Sequence, residues 1–371
     1  MHKLILFLGM VCVAPVLLRA QRTEPPRILD YKLQLPSLRG EEKAIILGQI
    51  ARWYIDNGHI KSDSALAYSR QALEFAQENN LRYQIGVSAC QYGRALLQVT
   101  KADEGLKYYR LAALIGREIR SDSLMALGYR GIGEALWYQS NFKYAIDTIR
   151  YSLPYFKSIG NYIEVSNATM VISNIHGDLG NYEEAFEGAR EALRVGDSVH
   201  DKVNIILSLA QLGYLYKSVG DYETAMEYYR RAFSYNPSEG VWAYRHISNR
   251  LGDLYIDLKQ FDSALFYIRQ SFAGNPDSKT SRLTMGEYYL ATKNYDSSLY
   301  YFQSLYRDLT KSGEGNIVMY ATLGMAKVFM QQEKFKQADK YGLEALEQAS
   351  RKGTKQVIHD ACLYGDRKSV V

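Results

Sequence analysis

One short phrase recurs along the chain: a polar turn residue, an aromatic, two variable residues and a small residue. It reads Asn141-Phe142-Lys143-Tyr144-Ala145, Asn181-Tyr182-Glu183-Glu184-Ala185, Asp221-Tyr222-Glu223-Thr224-Ala225, Gln260-Phe261-Asp262-Ser263-Ala264, Asn294-Tyr295-Asp296-Ser297-Ser298 and Lys334-Phe335-Lys336-Gln337-Ala338. Weaker copies end at Ala65 and Gly105, so the small residues are spaced by 40, 40, 40, 40, 39, 34 and 40 positions. A fixed period in this range marks a unit that cannot bury its apolar face alone and buries it by stacking on copies of itself.

Seven residues after each anchor stands Ala72, Ala112, Ser152, Ala192, Ala232, Ser271, Leu305 or Ala345. Twelve residues before it, from the second unit on, stands Gly93, Gly133, Ser173, Gly213, Gly252, Gly286 or Ala326, and three further on Leu96, Leu136, His176, Tyr216, Tyr255, Tyr289 or Phe329. The first unit fits with Ala51 and Tyr54 if its turn is two residues longer. These are helical spacings. A small residue where two helices cross removes the side chain that holds the backbones apart, and the aromatic fills the adjacent groove. Glycine inside a helix costs about 0.5–1 kcal/mol relative to alanine, so its return at one register implies a compensating packing gain. The expected fold is all-α: a superhelical solenoid of about eight antiparallel helical hairpins.

This register resembles the tetratricopeptide repeat over roughly residues 41–356, with the start of a further repeat at 357–365. Asn236-Pro237 and Asn275-Pro276 fall where that family often ends its second helix with proline. The usual early Trp of the first helix is absent, and most repeats here are longer than the family's ordinary unit. The resemblance implies a scaffold for a protein or peptide. Behind a signal segment, the arrangement is also similar to the periplasmic repeat region of bacterial sensor histidine kinases.

The ends of the chain read differently from its middle. Met1-His2-Lys3, an apolar run from Leu4 to Leu18, and Arg19-Ala20-Gln21 have the form of a signal peptide over residues 1–20, cleaved after Ala20, which places the chain in the periplasm or outside the cell. Residues 21–40, with Pro25, Pro26, Pro36 and Gly40, read as an irregular lead-in. Asp366 to Val371 match what a common sequencing-library adapter encodes, so a ninth first helix is expected to be cut off before its partner; dimerisation through that helix is one consequence.

Other function classes find little support. The 45 basic and 40 acidic residues are mixed along the chain, which argues against nucleic acid as a partner. Beyond the leader no segment is long and apolar enough to span a membrane. Cys90 and Cys362 lie far apart and at no metal-like spacing to histidine, so neither a disulfide framework nor a metal is expected. No zincin, P-loop or nucleophile-elbow signature occurs, and neither catalytic residues nor a cofactor are expected. Gly131-Ile132-Gly133 falls mid-helix at the packing register and reads as structural. His176 reads as a packed, hydrogen-bonded core residue, and tyrosine pairs such as Tyr228-Tyr229 and Tyr300-Tyr301 as packing between repeats.

Binding is expected on the concave face, which the first helices line. One residue after each small position, and one helical turn to either side, the register selects Arg94, Glu134, Asn174, Tyr214, Asp253, Glu287 and Lys327, flanked by Arg130, Trp137, Tyr138, Asn249 and Asp257. This lining is polar, mixed in sign and interleaved with aromatics, as a groove for a defined protein ligand would be. On this reading Glu134→Ala should leave stability nearly intact, whereas Gly213→Leu should wedge two helices apart.

Overall fold

The computed structural model describes residues 25–56, 62–99, 101–235, 241–272, 275–310 and 315–365. The signal segment, the last six residues and Asn236-Pro237 lie outside the described residues.

After a short leading helix, α1 (Pro26–Gln34), eight hairpins follow in chain order. They are α2 (Gly40–Asp56) with α3 (Ser62–Glu78), α4 (Arg82–Gln98) with α5 (Ala102–Glu118), α6 (Asp122–Tyr138) with α7 (Phe142–Ser158), and α8 (Tyr162–Asp178) with α9 (Tyr182–Ser198). Then come α10 (Lys202–Ser218) with α11 (Tyr222–Ser234), α12 (Val241–Asp257) with α13 (Phe261–Ser271), α14 (Lys279–Ala291) with α15 (Tyr295–Thr310), and α16 (Gly315–Gln331) with α17 (Phe335–Lys352). A further helix, α18 (Lys355–Gly365), packs on α17 and α16.

From the second hairpin to the eighth, the same backbone device closes the turn. The N–H of the turn residue that opens the recurring phrase donates to the carbonyl five residues back, as in Asn141 to Leu136 (2.8 Å), Asp221 to Tyr216 (2.9 Å) and Asn294 to Tyr289 (2.8 Å). The residue before it is left-handed, with φ +70° at Gly180 and +85° at Gly220 but also +64° at Ser140 and +58° at Glu333. The hydrogen bond satisfies a carbonyl at the helix end and holds even residues with a Cβ in that conformation.

Within a hairpin the helices meet at the small residues. A Cβ on Gly133 would lie 2.3 Å from Ile149 Cγ1 and 3.0 Å from the Ala145 carbonyl oxygen; on Gly213 it would lie 2.7 Å from the Tyr229 ring. Gly131 is equally closed by Tyr109, which supports its structural reading. Where the small residue is serine, its hydroxyl bonds across the crossing: Ser173 Oγ donates to the Ala185 carbonyl at 2.6 Å and Ser298 Oγ to the Gly286 carbonyl at 2.8 Å. Beside the crossing, the groove aromatic of the first helix stacks on an aromatic three residues after the anchor: Tyr54 on Tyr68, Tyr216 on Tyr228, Tyr255 on Tyr267, Tyr289 on Tyr301 and Phe329 on Tyr341, at centroid distances of 5.3–5.8 Å. The tyrosine stripes therefore stack inside hairpins as well as packing between them.

Three helices of the fifth to seventh hairpins are shorter: α11 and α14 have 13 residues and α13 has 11, against 17 in the first helices before them. Pro276 lies in the α13–α14 connection, where it lacks a donor and biases Asn275 away from helix. The single 34-residue step of the repeat spans this point.

One local expectation is corrected. Residues 26–34 are helical, because Pro26 at the first helical position is already set in φ and lacks only an N–H that would have no partner there. Lys32 Nζ on α1 donates to Tyr54 Oη at 2.7 Å, and Tyr31 and Leu35 cover the core of the first hairpin. Among the described residues no helix is long and apolar enough to cross a membrane.

Candidate functional site on the inner face of the superhelix

First helices touch first helices of the neighbouring hairpins, as α2 touches α4, α10 touches α12 and α16 touches α18, whereas the second helices keep apart. The first helices therefore lie on the inside of the curve. The curve comes round far enough for distant turns to meet: Lys355 Nζ at the start of α18 donates to Asn181 Oδ1 in the α8–α9 turn at 2.9 Å, across 174 residues of sequence. Tyr320 on α16 accordingly feels the charges of Asp178 on α8 and Arg250 on α12.

Most charged residues of the expected lining are paired from one hairpin to the next. Arg94 reaches Asp56 at 3.2 Å, and Lys327 lies 4.0 Å from Glu287. Lys217 on α10 binds Asp253 at 3.0 Å and Asp257 at 2.9 Å; burial works to lower its pKa, but the two carboxylates outweigh burial and hold the ammonium above its ordinary value. Arg130 binds Glu134 on its own helix and lies 3.4 Å from Glu164 on α8. These three side chains are only 13, 15 and 17% exposed. Burial again disfavours the charge on Arg130, yet the two glutamates hold it ionised, and Arg130 with Arg94 keeps Glu164 below its usual range against burial. Glu134 is thus part of a buried ion triad, and the expectation that Glu134→Ala is nearly neutral does not hold: removing it takes away half the counter-charge of a buried cation.

A second set of inner-face contacts runs from the third hairpin to the sixth. Trp137 Nε1 donates to Asp178 Oδ2 at 3.0 Å, and burial pushes the Asp178 carboxyl up to about 6 although that hydrogen bond and the Arg250 charge both lower it. The Arg250 guanidinium lies over the Tyr214 ring, 4.2 Å from its centroid, and among the described residues no carboxylate stands within 4 Å of it. Among the described residues, Asn249 Oδ1 is buried without a hydrogen-bond partner. Asn174 is half-buried on α8, one turn before Asp178. Tyr138 is 42% exposed beside Trp137, with ring centroids 6.1 Å apart. His176, in the groove of this hairpin, is held below its ordinary pKa by burial, and its Nδ1 lacks the hydrogen bond expected of it.

Two family models, each described as a tetratricopeptide repeat, match residues 164–236 and 246–277. The matched stretches are tetratricopeptide repeats, and the other hairpins repeat the same fold. Solved structures share its course over most of the chain. The Rap conjugation gene regulator of the plasmid pLS20 in complex with the Phr* peptide is 14% identical, with 90% of this chain and 96% of that one covered, at a TM-score of 0.64. A Rap protein complexed with competence and sporulation factor is 13% identical, with 86% and 100% covered, at 0.63. Aspartyl phosphate phosphatase F from Bacillus subtilis is 14% identical, with 86% and 92% covered, at 0.56. At such identities the likeness is one of fold. A search among curated protein sequences finds no match.

Within the tetratricopeptide array, the inward register brings Trp137, Tyr214 and Asn249 near Asp178, Arg250 and Tyr320, three residues it did not select. Asp178 was within its reach, since it stands one turn after Asn174 as Tyr138 does after Glu134. Arg250 lies a turn before Asp253 at the three-residue rather than the four-residue step. Tyr320 is brought to Asp178 by the curvature of the three hairpins that lie between them.

Proposed function

We propose that this chain is a binding scaffold, not a catalyst, that takes a peptide or extended protein segment into the interior of its superhelix. The observation that carries this lies on the sixth hairpin: among the described residues Asn249 Oδ1 is buried without a hydrogen-bond donor, and the Arg250 guanidinium, stacked on Tyr214, has no carboxylate within 4 Å, whereas Arg94, Arg130, Lys217 and Lys327 each meet one. Buried polar groups are costly to leave unsatisfied, so such a cluster fits a ligand that supplies the missing bonds. Two neighbours in fold were solved with a factor or peptide bound, which supports the reading by analogy.

Panning a displayed random-peptide library on the purified chain tests it. Enrichment of a consensus whose binding is lost in Trp137→Ala and kept in the exposed variant Arg194→Ala is expected. Absence of any enriched sequence, or binding indifferent to the interior variant, would sink the proposal.

The N-terminal segment supports a site of action outside the cytoplasm. Alkaline phosphatase fused after residue 365, which is active only when exported, should be active in a bacterial host with residues 1–24 present and inactive without them. Activity in neither fusion would refute export.

A further inference from the structure

The curve brings the eighth hairpin and α18 back to the fourth hairpin, and they meet it at two levels. At the rim, Lys355 Nζ donates to Asn181 Oδ1 at 2.9 Å, and the stem of Lys355 lies along Gly180, where an added Cβ would stand 3.4 Å from Lys355 Cβ. A Cβ on Gly353, two residues before Lys355, would stand 3.8 Å from Leu179 Cδ2. On the far side of the same turn, burial and after it the charge of Asp360 on α18 raise the pKa of Tyr182. Farther in, Tyr320 of α16 lies near Tyr214, Asp178 and Arg250: burial pushes its hydroxyl well above the ordinary value, Tyr214 and Asp178 add to that, and Arg250 opposes it. These three neighbours belong to the candidate site.

Each arm of this contact is held more firmly than the contact itself. Thr354 is buried; its hydroxyl donates to Met319 Sδ at 3.2 Å and its N–H to the Ala349 carbonyl at 3.2 Å, so the turn that carries Lys355 is fixed to α16 and α17. Asn181 is fixed by its own N–H, bonded to the His176 carbonyl at 2.9 Å. The seam between the arms rests on an exposed hydrogen bond, for which water competes, and on glycine contacts. Such a seam opens without unfolding either arm.

We propose that the eighth hairpin and α18 form a cover over the interior site, latched by Lys355 on Asn181, and that a peptide enters the fourth to sixth hairpins only when the latch releases. Tyr320 and a ligand group compete for the space beside Tyr214 and Arg250, so closing the cover opposes filling the site. The proposal rests on the interior being the binding site.

The latch geometry supplies its own test, because a Cβ–Cβ separation of 3.4 Å is close to the ~3.5–4.5 Å that a disulfide spans. Gly180 is left-handed, but Ser140 and Glu333 hold the equivalent place in other turns, so cysteine is tolerated there. The full chain with Gly180→Cys and Lys355→Cys, and with Cys12→Ser and Cys362→Ser to prevent other pairings, is oxidised with copper phenanthroline and the cross-link located by mass spectrometry. Oxidised and reduced samples are then compared by small-angle X-ray scattering and by retention of a synthetic random heptapeptide pool through gel filtration. The cross-link should form. Reduction should enlarge the radius of gyration and raise retention by roughly tenfold or more, since a locked chain has no competent fraction. Lys355→Ala in the otherwise native chain should also retain more than wild type, with a matching melting curve. Failure of the cross-link to form, or equal scattering in the two states, overturns the latch. Equal retention in the two states, or greater retention by the locked chain, overturns the cover and leaves the binding scaffold standing. Retention of nothing in either state or by Lys355→Ala overturns the scaffold and the cover with it.

Discussion

Arg130 and Arg250 stand on the first helices of the third and sixth hairpins, both turned toward the interior, and they are treated in opposite ways. Arg130 has Glu134 on one side and Glu164 of the next hairpin on the other, so its charge is spent on joining two repeats. Arg250 has the face of Tyr214 and the field of Asp178, and among the described residues no carboxylate within 4 Å. The same residue type is a strut in one place and an open donor in the other. What separates them is the register of neighbouring carboxylates, and side-chain identity alone does not reveal it.

The largest effect should come from stranding the first arginine. Glu134→Gln with Glu164→Gln leaves a buried cation uncompensated and should cost about 3–5 kcal/mol in urea unfolding. Adding Arg130→Met should recover part of that loss. Arg250→Gln, by contrast, should change stability by about 1 kcal/mol or less, since only a cation–π contact is removed. Equal costs for the two arginines would break the comparison and make Arg250 structural.

Gly213→Leu drives a side chain into the Tyr229 ring and should cost about 1–3 kcal/mol, visible as a lowered Tm. An unaffected Tm would mean that the crossing is not closed as described, and the inward register drawn from it would fall as well.

Asp178 sharpens the contrast through pH. Its folded pKa, about 6, lies above the ordinary value of 3.8, so between those values the native state holds more protons than the unfolded one. This contribution to stability is full below the ordinary value and falls as pH rises through the window, by an amount on the order of 3 kcal/mol. Asp178→Asn should flatten the slope in urea unfolding followed from pH 4 to 7, and an unchanged slope would show that Asp178 is not the group responsible.

The smallest effect belongs to the outer surface. Arg194 and Glu191 form an ion pair with the arginine side chain 71% exposed, and Arg194→Ala should leave the urea-unfolding midpoint unchanged within error. A measurable loss would put weight on the convex side that the interior account does not give it.

The sequence by itself determined the hairpin, its number and its inward register, because each depends on residues within one period: a small residue at the crossing, an aromatic beside it, a turn residue closing the helix. Trp137, Asn174, Tyr214 and Asn249 could be placed on the inner face for that reason. The helix over 26–34 was also readable from Pro26 at its start, but the prolines drew the reading toward irregular structure. The tertiary structure alone decided which inward charges cancel and which stay open. Whether Arg130 finds Glu164, or Tyr320 comes round to Asp178 and Arg250, depends on the small rotation between successive hairpins added over several repeats. That rotation is set by packing summed across every interface, and no single period of the sequence contains it.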